Sequence, residues 1–390
     1  MRKPTHTWTW AQAAAWRLRR QYLDRRAPAA ESKAGVRLDG ASNMLAVASR
    51  LSGLHAQVLS ASELALWARV EGLERGAVQR ALWEDRTLVK TWAMRGTLHL
   101  LPAGELHLWH GALSVIERYR KPAFWKRCFG ITLDEVDRLT EAIGAALDGR
   151  VMTREELIKE VRRRAGFTVK FAENGWGTIL KPAAFAGHLC FGPSIGRRVR
   201  FTRPDTWLRA EPAPKLDPQS AAAEVARRFL AVYGPATYRD LARWWGGGGM
   251  AMARRWIASL GEEVVTVDLS GTPAWMLAAD AKARDLGPIR SVRLLPAFDQ
   301  YVVAASHHAD RLLPAGLRSR VYRPQGWISP VLLVNGRMEG VWRHEITGSR
   351  VEVVIERFGK SPARVRRAAE EEAERLAAFL GCKLSVAWKS

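Results

Sequence analysis

The segment RLSGLHAQVLSAS, residues 50–62, places a histidine and a glutamine two positions apart, shortly after a glycine. On an α-helix their side chains would diverge by roughly 200°, whereas in an extended backbone His55 and Gln57 would share a face and Ala56 would turn to the core. Because Gly53 is expected to end the preceding helix, we predict an extended HAQ segment. The alternative, which spacing alone favours, is a polar loop whose side chains cap neighbouring backbone groups.

A histidine and a glutamine that face one groove could assist a hydrolysis. An amide oxygen can orient a water molecule, and a neutral imidazole can hold that water or accept its proton. An unperturbed imidazole titrates at about pH 6.5, so a reaction that needs neutral His55 should slow below about that pH. We predict that His55 acts in the neutral form.

Other catalytic and metal-binding patterns are missing from the sequence, which contains no GxSxG, HExxH or GxxxxGK[ST] motif. Cys128, Cys190 and Cys382 lie far apart, so we expect neither structural disulfides nor a zinc site. His307 and His308 are adjacent but have no cysteine or carboxylate at ligand spacing. We therefore expect no metal and no cofactor.

The elements around the HAQ segment are predicted to be helices followed by a hairpin. Helices are predicted over residues 7–24, 42–53, 60–72 and 75–85, the first with Thr9 and Gln12 at capping-box spacing. Residues 88–101 alternate in character around Arg95-Gly96, which predicts two short strands and a turn. This order of elements is typical of a winged helix.

The same order is predicted twice more along the chain. Residues 132–203 read as helices, the last over 181–192, and a glycine-bearing wing, and residues 219–280 read as a helix-turn-helix and a hairpin. We therefore predict an α+β fold with three tandem winged-helix units. The predicted boundaries are 1–101, 102–203, a linker at 204–218, 219–287, and a β-rich region at 288–390.

The C-terminal region carries local signals of its own. An Asn335-Gly336 pair predicts a tight hairpin, and Ser361 with Pro362 predicts the N-cap and first residue of a final helix.

The charge of the chain indicates a polyanionic partner. Lysine and arginine number 61 against 39 acidic residues, a formal net charge of +22, which favours nucleic acid, an anionic membrane surface or acidic proteins. No apolar run approaches the roughly 18 residues that span a bilayer, and the N-terminus lacks the apolar core of a signal peptide. We expect a cytoplasmic protein without membrane contact.

Nucleic acid is the favoured partner because arginines cluster on elements that face DNA in winged-helix proteins. Arg197, Arg198, Arg200 and Arg203 lie in the second predicted wing, and Arg254 and Arg255 follow the glycine-rich turn of the third unit. The 17 tryptophans either fill the core or, in part, stack on bases.

Four segments together resemble the winged-helix DNA glycosylases of the AlkZ/YcaQ type: LSGLHAQVLSASELALWAR, TWAMRGTLHLLPAGE, LLPAFDQYVVA and GWISPVLLVNGRMEGVWR. They follow one another in the expected order and cover both ends of the chain. The resemblance implies a C-shaped molecule of three tandem winged helices with a basic concave face. It also implies base excision repair of bulky alkylated bases and unhooking of interstrand cross-links, in some members as self-resistance to a DNA-alkylating natural product.

The catalytic motif of that family is a glutamine, an aliphatic residue, and then a glutamine or aspartate, and it falls on His55-Ala56-Gln57. Gln57 matches the motif. His55 replaces the common first glutamine and Ala56 is smaller than the usual aliphatic residue, which puts the role of the first position in question.

The resemblance also assigns roles outside the motif. It implies that Arg95 and His99 bind DNA and that Thr97, Asp299 and Tyr301 support the active site. Taken singly, each of these five residues is better explained by a core or architectural hydrogen bond.

Two functions of different classes fit these observations. The first is a monofunctional, cofactor-free DNA glycosylase that acts as a monomer on double-stranded DNA carrying alkylated purines. The second is a non-enzymatic winged-helix DNA-binding protein or transcription regulator, although such regulators usually dimerise and the sequence shows no heptad zipper. A bifunctional lyase would need a lysine near HAQ, and the nearest one downstream is Lys90, in the first predicted wing.

Overall fold

The computed structural model describes residues 6–28, 40–116, 118–165, 176–209, 216–283, 287, 289–360 and 362–389. Helices and strands are mixed along the chain, and the strands form three three-stranded sheets and one five-stranded sheet in the described part. The predicted α+β class is confirmed. Ser361 and residues 210–215 of the predicted linker lie outside the described residues.

The first part of the chain has the predicted helices and hairpin. Thr9 and Gln12 form the expected capping box, and residues 88–102 form two antiparallel strands with Arg95 and Gly96 in the turn. The sheet order is β2-β4-β3. The elements are β1 (Thr7–Trp8), α1 (Trp10–Arg20), α2 (Gly40–Arg50), β2 (Leu54–His55), α3 (Leu59–Trp67), α4 (Ala77–Trp83), β3 (Leu88–Trp92) and β4 (Leu98–Pro102).

The second part differs from the prediction at one helix. The helix predicted over 181–192 ends at Phe185, and Cys190 begins a strand. Gly187 stops the helix, because it takes a positive φ of 82° and His188 donates its backbone N–H back to the Ala183 carbonyl. The elements are α5 (Leu106–Ser114), α6 (Pro122–Phe129), α7 (Leu133–Leu147), β5 (Met152–Thr153), α8 (Arg154–Ala165), α9 (Trp176–Phe185), β6 (Cys190–Ile195), β7 (Arg198–Thr202) and α10 (Pro204–Trp207).

The third part has helices and a hairpin where they were predicted, but its sheet includes a strand from the N-terminus. Strand β1 pairs in parallel with β8, with Thr7 opposite Asp268 and Trp8 opposite Leu269. Trp8 and Trp16 are buried in a small core with the hairpin rather than with the HAQ segment. The elements are α11 (Pro218–Tyr233), α12 (Tyr238–Trp245), α13 (Gly249–Ala258), β8 (Val264–Leu269), β9 (Thr272–Leu277) and α14 (Ala278–Ala281).

The C-terminal region is the five-stranded sheet with α17 packed on it. Asn335 and Gly336 both take positive φ at the predicted hairpin turn, and Pro362 occupies the N-cap rather than the first helical position. None of the described helices has the length and apolar character needed to cross a membrane. The elements are β10 (Val292–Leu295), α15 (Gln300–Ala304), α16 (Arg318–Val321), β11 (Val331–Val334), β12 (Arg337–Thr347), β13 (Arg350–Arg357), α17 (Ala363–Leu380) and β14 (Lys383–Lys389).

One buried ion pair joins the first part of the chain to the C-terminal region. Arg69 follows α3, and its guanidinium donates two hydrogen bonds, of 2.6 and 2.8 Å, to the two carboxylate oxygens of Asp299. Both side chains are fully buried. Because an unpaired charge at this depth is strongly unfavourable, the pair fixes how the two parts of the chain meet.

We predict that Asp299→Asn lowers the free energy of unfolding by roughly 3–5 kcal/mol, the usual loss when one partner of a buried pair is removed. Urea unfolding followed by circular dichroism and tryptophan fluorescence measures this loss. The double variant Arg69→Met/Asp299→Asn, which removes the unpaired cation, should recover part of it. An Asp299→Asn protein as stable as the unaltered one would contradict this role.

Candidate active site

The HAQ segment is extended at its start and is held by backbone hydrogen bonds. Strand β2 pairs with β4, so that His55 lies opposite His99. The Ala56 N–H donates to the Leu98 carbonyl at 2.7 Å, and the Ser62 hydroxyl donates to the His55 carbonyl at 2.9 Å. Ala56 is fully buried. The predicted extended backbone is therefore confirmed for His55 only, and the inward turn of Ala56 is confirmed.

Gln57 lies where the chain bends into α3. Its side chain is exposed, and it makes no hydrogen bond to any residue that the structure describes. The prediction that the two side chains project together is therefore confirmed only in part, because the His55 ring is buried whereas the Gln57 side chain is exposed. The amide is free to bind a ligand or water from solvent.

The His55 ring is packed between two aromatic rings. It stacks on Phe298 with ring centroids 4.8 Å apart and planes 10° apart, and it meets His99 edge-on at 5.7 Å. Burial, together with the nearby positive charge of Arg95, lowers the pKa of His55 to about 4. The predicted neutral form is therefore favoured at neutral pH, and the expectation of a titration near pH 6.5 is wrong because the ring is desolvated.

Arg95 and His99 form one network in the hairpin turn. The Arg95 guanidinium donates to the Trp244 carbonyl and to His99 Nε2, the latter at 3.0 Å. Because a guanidinium only donates, Nε2 must accept, so His99 Nδ1 carries the proton and donates to the Thr97 carbonyl at 3.0 Å. The network thus fixes His99 in one neutral tautomer.

The same network gives both residues the architectural hydrogen bonds that fit each of them singly. His99 is fully buried with both ring nitrogens occupied, so the predicted DNA contact is wrong for His99. Burial lowers the pKa of Arg95 to about 10, but its side chain is only half-buried. Arg95 therefore positions the hairpin turn against α12, and its contact with DNA stays a prediction.

A cavity of about 260 Å³ lies in front of His55, and we call it the His55 cavity. The hairpin turn contributes Arg95 and Thr97, helix α12 contributes Arg243 and Trp244, and the rest of its wall comes from residues 298–328. Three distant parts of the chain therefore meet around the first residue of the HAQ motif.

Asp299 and Tyr301 stand behind this wall. Asp299 accepts the Tyr301 backbone N–H at 2.9 Å and so caps α15, in addition to pairing with Arg69. The Tyr301 hydroxyl donates to the Gly336 carbonyl at 2.9 Å, and burial raises the pKa of Tyr301 to about 12. Both residues support the backbone that carries Phe298, and neither is exposed to the cavity.

Asp240 lies against the two adjacent histidines, so the premise that these have no carboxylate nearby is wrong. Its carboxylate pairs with His307 and lies 3.6 Å from His308 Nδ1, and the three side chains could together contact a cation. Arg17 adds a positive charge beside Asp240 and His308, which opposes cation binding.

The arginines predicted to bind DNA differ in their freedom. Arg197 and Arg198 are exposed at the turn between β6 and β7, and Arg254 and Arg255 are exposed on α13. Arg200 instead donates to the Pro193 carbonyl at 2.6 Å. Four of the predicted positions are therefore accessible to phosphates.

Sequence reasoning missed several residues around His55, above all Phe298, Trp244 and His307. Phe298 lies within the segment that carried the family resemblance, directly before the N-cap Asp299. Its place in that segment was the available signal. Trp244 and His307 gave none, because each meets the site only through tertiary packing.

Known proteins similar to this chain identify its family. A family model described as DNA glycosylase AlkZ-like matches residues 48–379, a range that contains the HAQ motif and the walls of the His55 cavity. The chain belongs to the AlkZ-like family of DNA glycosylases and is an enzyme of that class, which sets the regulator alternative aside.

A curated protein and a solved structure, both from Streptomyces sahachiroi, are similar to this chain over nearly its whole length. A protein named interstrand DNA cross-link repair glycosylase is 36% identical over 379 residues, covering 96% of this chain and 97% of its own. The solved structure of the DNA glycosylase AlkZ has a TM-score of 0.85 and 34% identity, covering 98% of this chain and 100% of that one.

We predict that excision depends little on pH between about 8 and 5 and falls only as the pH approaches the His55 pKa of about 4. A single-turnover pH–rate profile on duplex DNA containing N7-methylguanine measures this. NMR titration of the imidazoles, with His55→Gln to assign the signal, gives the pKa directly. An inflection near 6.5 that His55→Gln removes would overturn the desolvated, neutral state.

Proposed function

We propose that the protein hydrolyses the N-glycosidic bond of bulky or cross-linked N-alkylated purines in duplex DNA. The observation that carries the proposal is the HAQ motif, with a neutral His55 in the wall of the His55 cavity and an exposed Gln57 beside it. The cross-linked substrate is supported by the name of the Streptomyces sahachiroi relative.

The chemistry of the leaving group explains why these residues suffice. A purine alkylated at N7 or N3 is already cationic, so its departure needs little protonation, and the difficult step is the formation and capture of a sugar oxocarbenium ion. Gln57 orients the attacking water through its amide oxygen. Neutral His55 adds no charge that would repel the oxocarbenium and can hold the water in line.

A monofunctional mechanism is supported by the position of the lysines. No lysine lies among the residues that line the His55 cavity in the described part of the chain. Lys90 pairs with Leu100, the residue that follows His99 on β4, whereas His55 pairs with His99 itself. Since side chains alternate between the faces of a sheet, the Lys90 side chain projects from the face opposite to that of His55. Its amine lies over the Phe191 ring at 5.1 Å. The proposed product is therefore an abasic site in an intact strand.

The proposed organisation is three tandem winged helices, curved into a C shape, that bind duplex DNA as a monomer. Each of the three-stranded sheets includes the predicted hairpin of its unit, and α12 and α13 form the helix-turn-helix of the third. Exposed arginines at the β6–β7 turn and on α13 supply phosphate contacts. An open groove suits a lesion too large, or too firmly tied to the other strand, to be flipped into a closed pocket.

We predict that Gln57→Ala lowers the excision rate by roughly 10²-fold or more, the scale of losing one well-placed polar group in a transition state. Single-turnover excision and duplex affinity, measured separately, should show a slow reaction with unchanged binding. Gln57→Asp should keep activity, because the family motif accepts aspartate there.

Gln219→Ala is the matched control, since Gln219 is also an exposed glutamine next to a helix start. Normal excision by Gln57→Ala would contradict the catalytic role of HAQ and favour the alternative of a polar loop that caps neighbouring backbone groups. A covalent complex trapped by borohydride would refute the monofunctional mechanism.

We predict that Arg197→Gln/Arg198→Gln weakens binding to all duplex sequences and flattens the salt dependence by about 0.9 in log–log slope for each phosphate that is no longer neutralised. Fluorescence anisotropy over a salt series measures this. Arg227→Gln is the control, because Glu224 and Glu263 already neutralise that side chain. An unchanged slope would remove the β6–β7 turn from the DNA interface.

A further inference from the structure

Trp327 is the one exposed tryptophan among those whose side chains the structure describes, with 45% of its surface accessible. The other tryptophans whose side chains are described are buried or half-buried and pack against neighbouring residues. The exposed surface of the Trp327 indole is available to stack on a flat aromatic ligand.

The Trp327 side chain is presented on a closed turn. The Arg323 N–H donates to the Trp327 carbonyl at 2.9 Å, and the Trp327 N–H donates to the Pro324 carbonyl at 3.3 Å. Tyr322 and Ile328 form a bridge across the base of the turn. The Tyr322 hydroxyl donates to the Val302 carbonyl at 2.8 Å, which ties the turn to the segment behind the His55 cavity.

Trp327 is coupled to the active site through one ring. Phe298 meets Trp327 edge-on, with centroids 4.9 Å apart, and its face stacks on His55 at 4.8 Å. Gly326 and Ile328 line the His55 cavity, whereas Trp327 lines a second cavity of about 310 Å³, which we call the Trp327 cavity. The turn is therefore a wall shared by two neighbouring cavities.

The Trp327 cavity is aromatic and positively charged. Its wall includes Trp342, whose indole N–H donates to the Leu295 carbonyl, so no polar atom of that ring seeks a partner. Arg323 and Arg343 are exposed in the wall, and neither forms an ion pair with a described residue. Arg320, by contrast, is paired with Glu356. A flat aromatic group attached to a polyanion satisfies such a lining.

We infer that the Trp327 cavity is an adduct subsite, in which the planar aromatic portion of a bulky N7-guanine adduct stacks on Trp327 while the glycosidic bond lies at His55. This inference rests on the proposed function and deepens it. The Phe298 ring centroid lies 4.8 Å from that of His55 and 4.9 Å from that of Trp327, so a guanine with a planar adduct is long enough to extend from one cavity past the shared wall to the other. The alternative occupant is an ordinary neighbouring base. Such a base would stack on Trp327 with any lesion, so loss of Trp327 would then affect all duplexes equally.

The experiment compares a small and a large lesion. Duplexes carry N7-methylguanine or an N7-(naphthylmethyl)guanine, and the protein is unaltered, Trp327→Ala or Trp327→Phe. Trp327→Ala should lower the ratio of kcat/KM for the naphthylmethyl adduct over the methyl adduct by about 10-fold or more, the scale of removing one aromatic stacking interaction. Trp327→Phe should keep most of the ratio. Trp388→Ala is the control. Trp388 is a half-buried tryptophan on β14, and the Arg366 guanidinium lies over its ring.

Affinity measurements separate the two proposals. If the unaltered protein excises neither lesion but binds the naphthylmethyl duplex more tightly than undamaged DNA, and Trp327→Ala removes that preference, the subsite stands and the proposed function fails. An equal loss of affinity for all duplexes would mean that Trp327 stacks on ordinary bases, and the adduct subsite would be overturned. An unchanged ratio in Trp327→Ala would also overturn it.

Discussion

The buried pair of Arg69 and Asp299 is the interaction on which the geometry of the site depends. Arg69 follows the helix that begins directly after the HAQ motif, and Asp299 directly follows Phe298, the ring that stacks on His55. The ion pair therefore joins the segment that carries His55 to the segment that carries Phe298. Because both charges are fully desolvated, the pair tolerates almost no displacement, and His55 and Phe298 are held at a fixed separation.

The protein separates the charge that binds DNA from the environment that suits the reaction. A net charge of +22 attracts a polyanion, yet a cationic histidine beside a developing oxocarbenium ion would raise its energy. The exposed arginines lie on a hairpin turn and a helix surface, whereas burial keeps His55 and His99 neutral. Arg95, the cation nearest to both rings, adds to this effect, since its charge further opposes their protonation.

Local signals in the sequence predicted local structure well. The capping box at Thr9, the turns at Arg95-Gly96 and Asn335-Gly336, and the extended start of HAQ each depend on a few adjacent residues. The contact of Asp240 with His307 joins residues 67 positions apart, and strand β1 pairs with a hairpin some 260 residues away. No local sequence pattern at one of these residues indicates its partner, because such contacts depend on the tertiary packing of the whole chain. Burial also decides which polar side chains can meet DNA: the family resemblance assigned a DNA contact to His99, but that ring is fully buried and both of its nitrogens are hydrogen-bonded inside the molecule.

Phe298 shows the opposite case, a residue whose conformation points to its role. It takes a φ of 58°, which is unfavourable for a bulky side chain and would be easy for glycine. A glycine at this position would relieve the backbone but could neither stack on His55 nor contact Trp327. The residue is held there by the cap and ion pair of Asp299 next to it, so the surrounding structure sustains a strained backbone for the sake of the ring. Those contacts of Asp299 therefore keep the Phe298 ring between the catalytic motif and the exposed tryptophan.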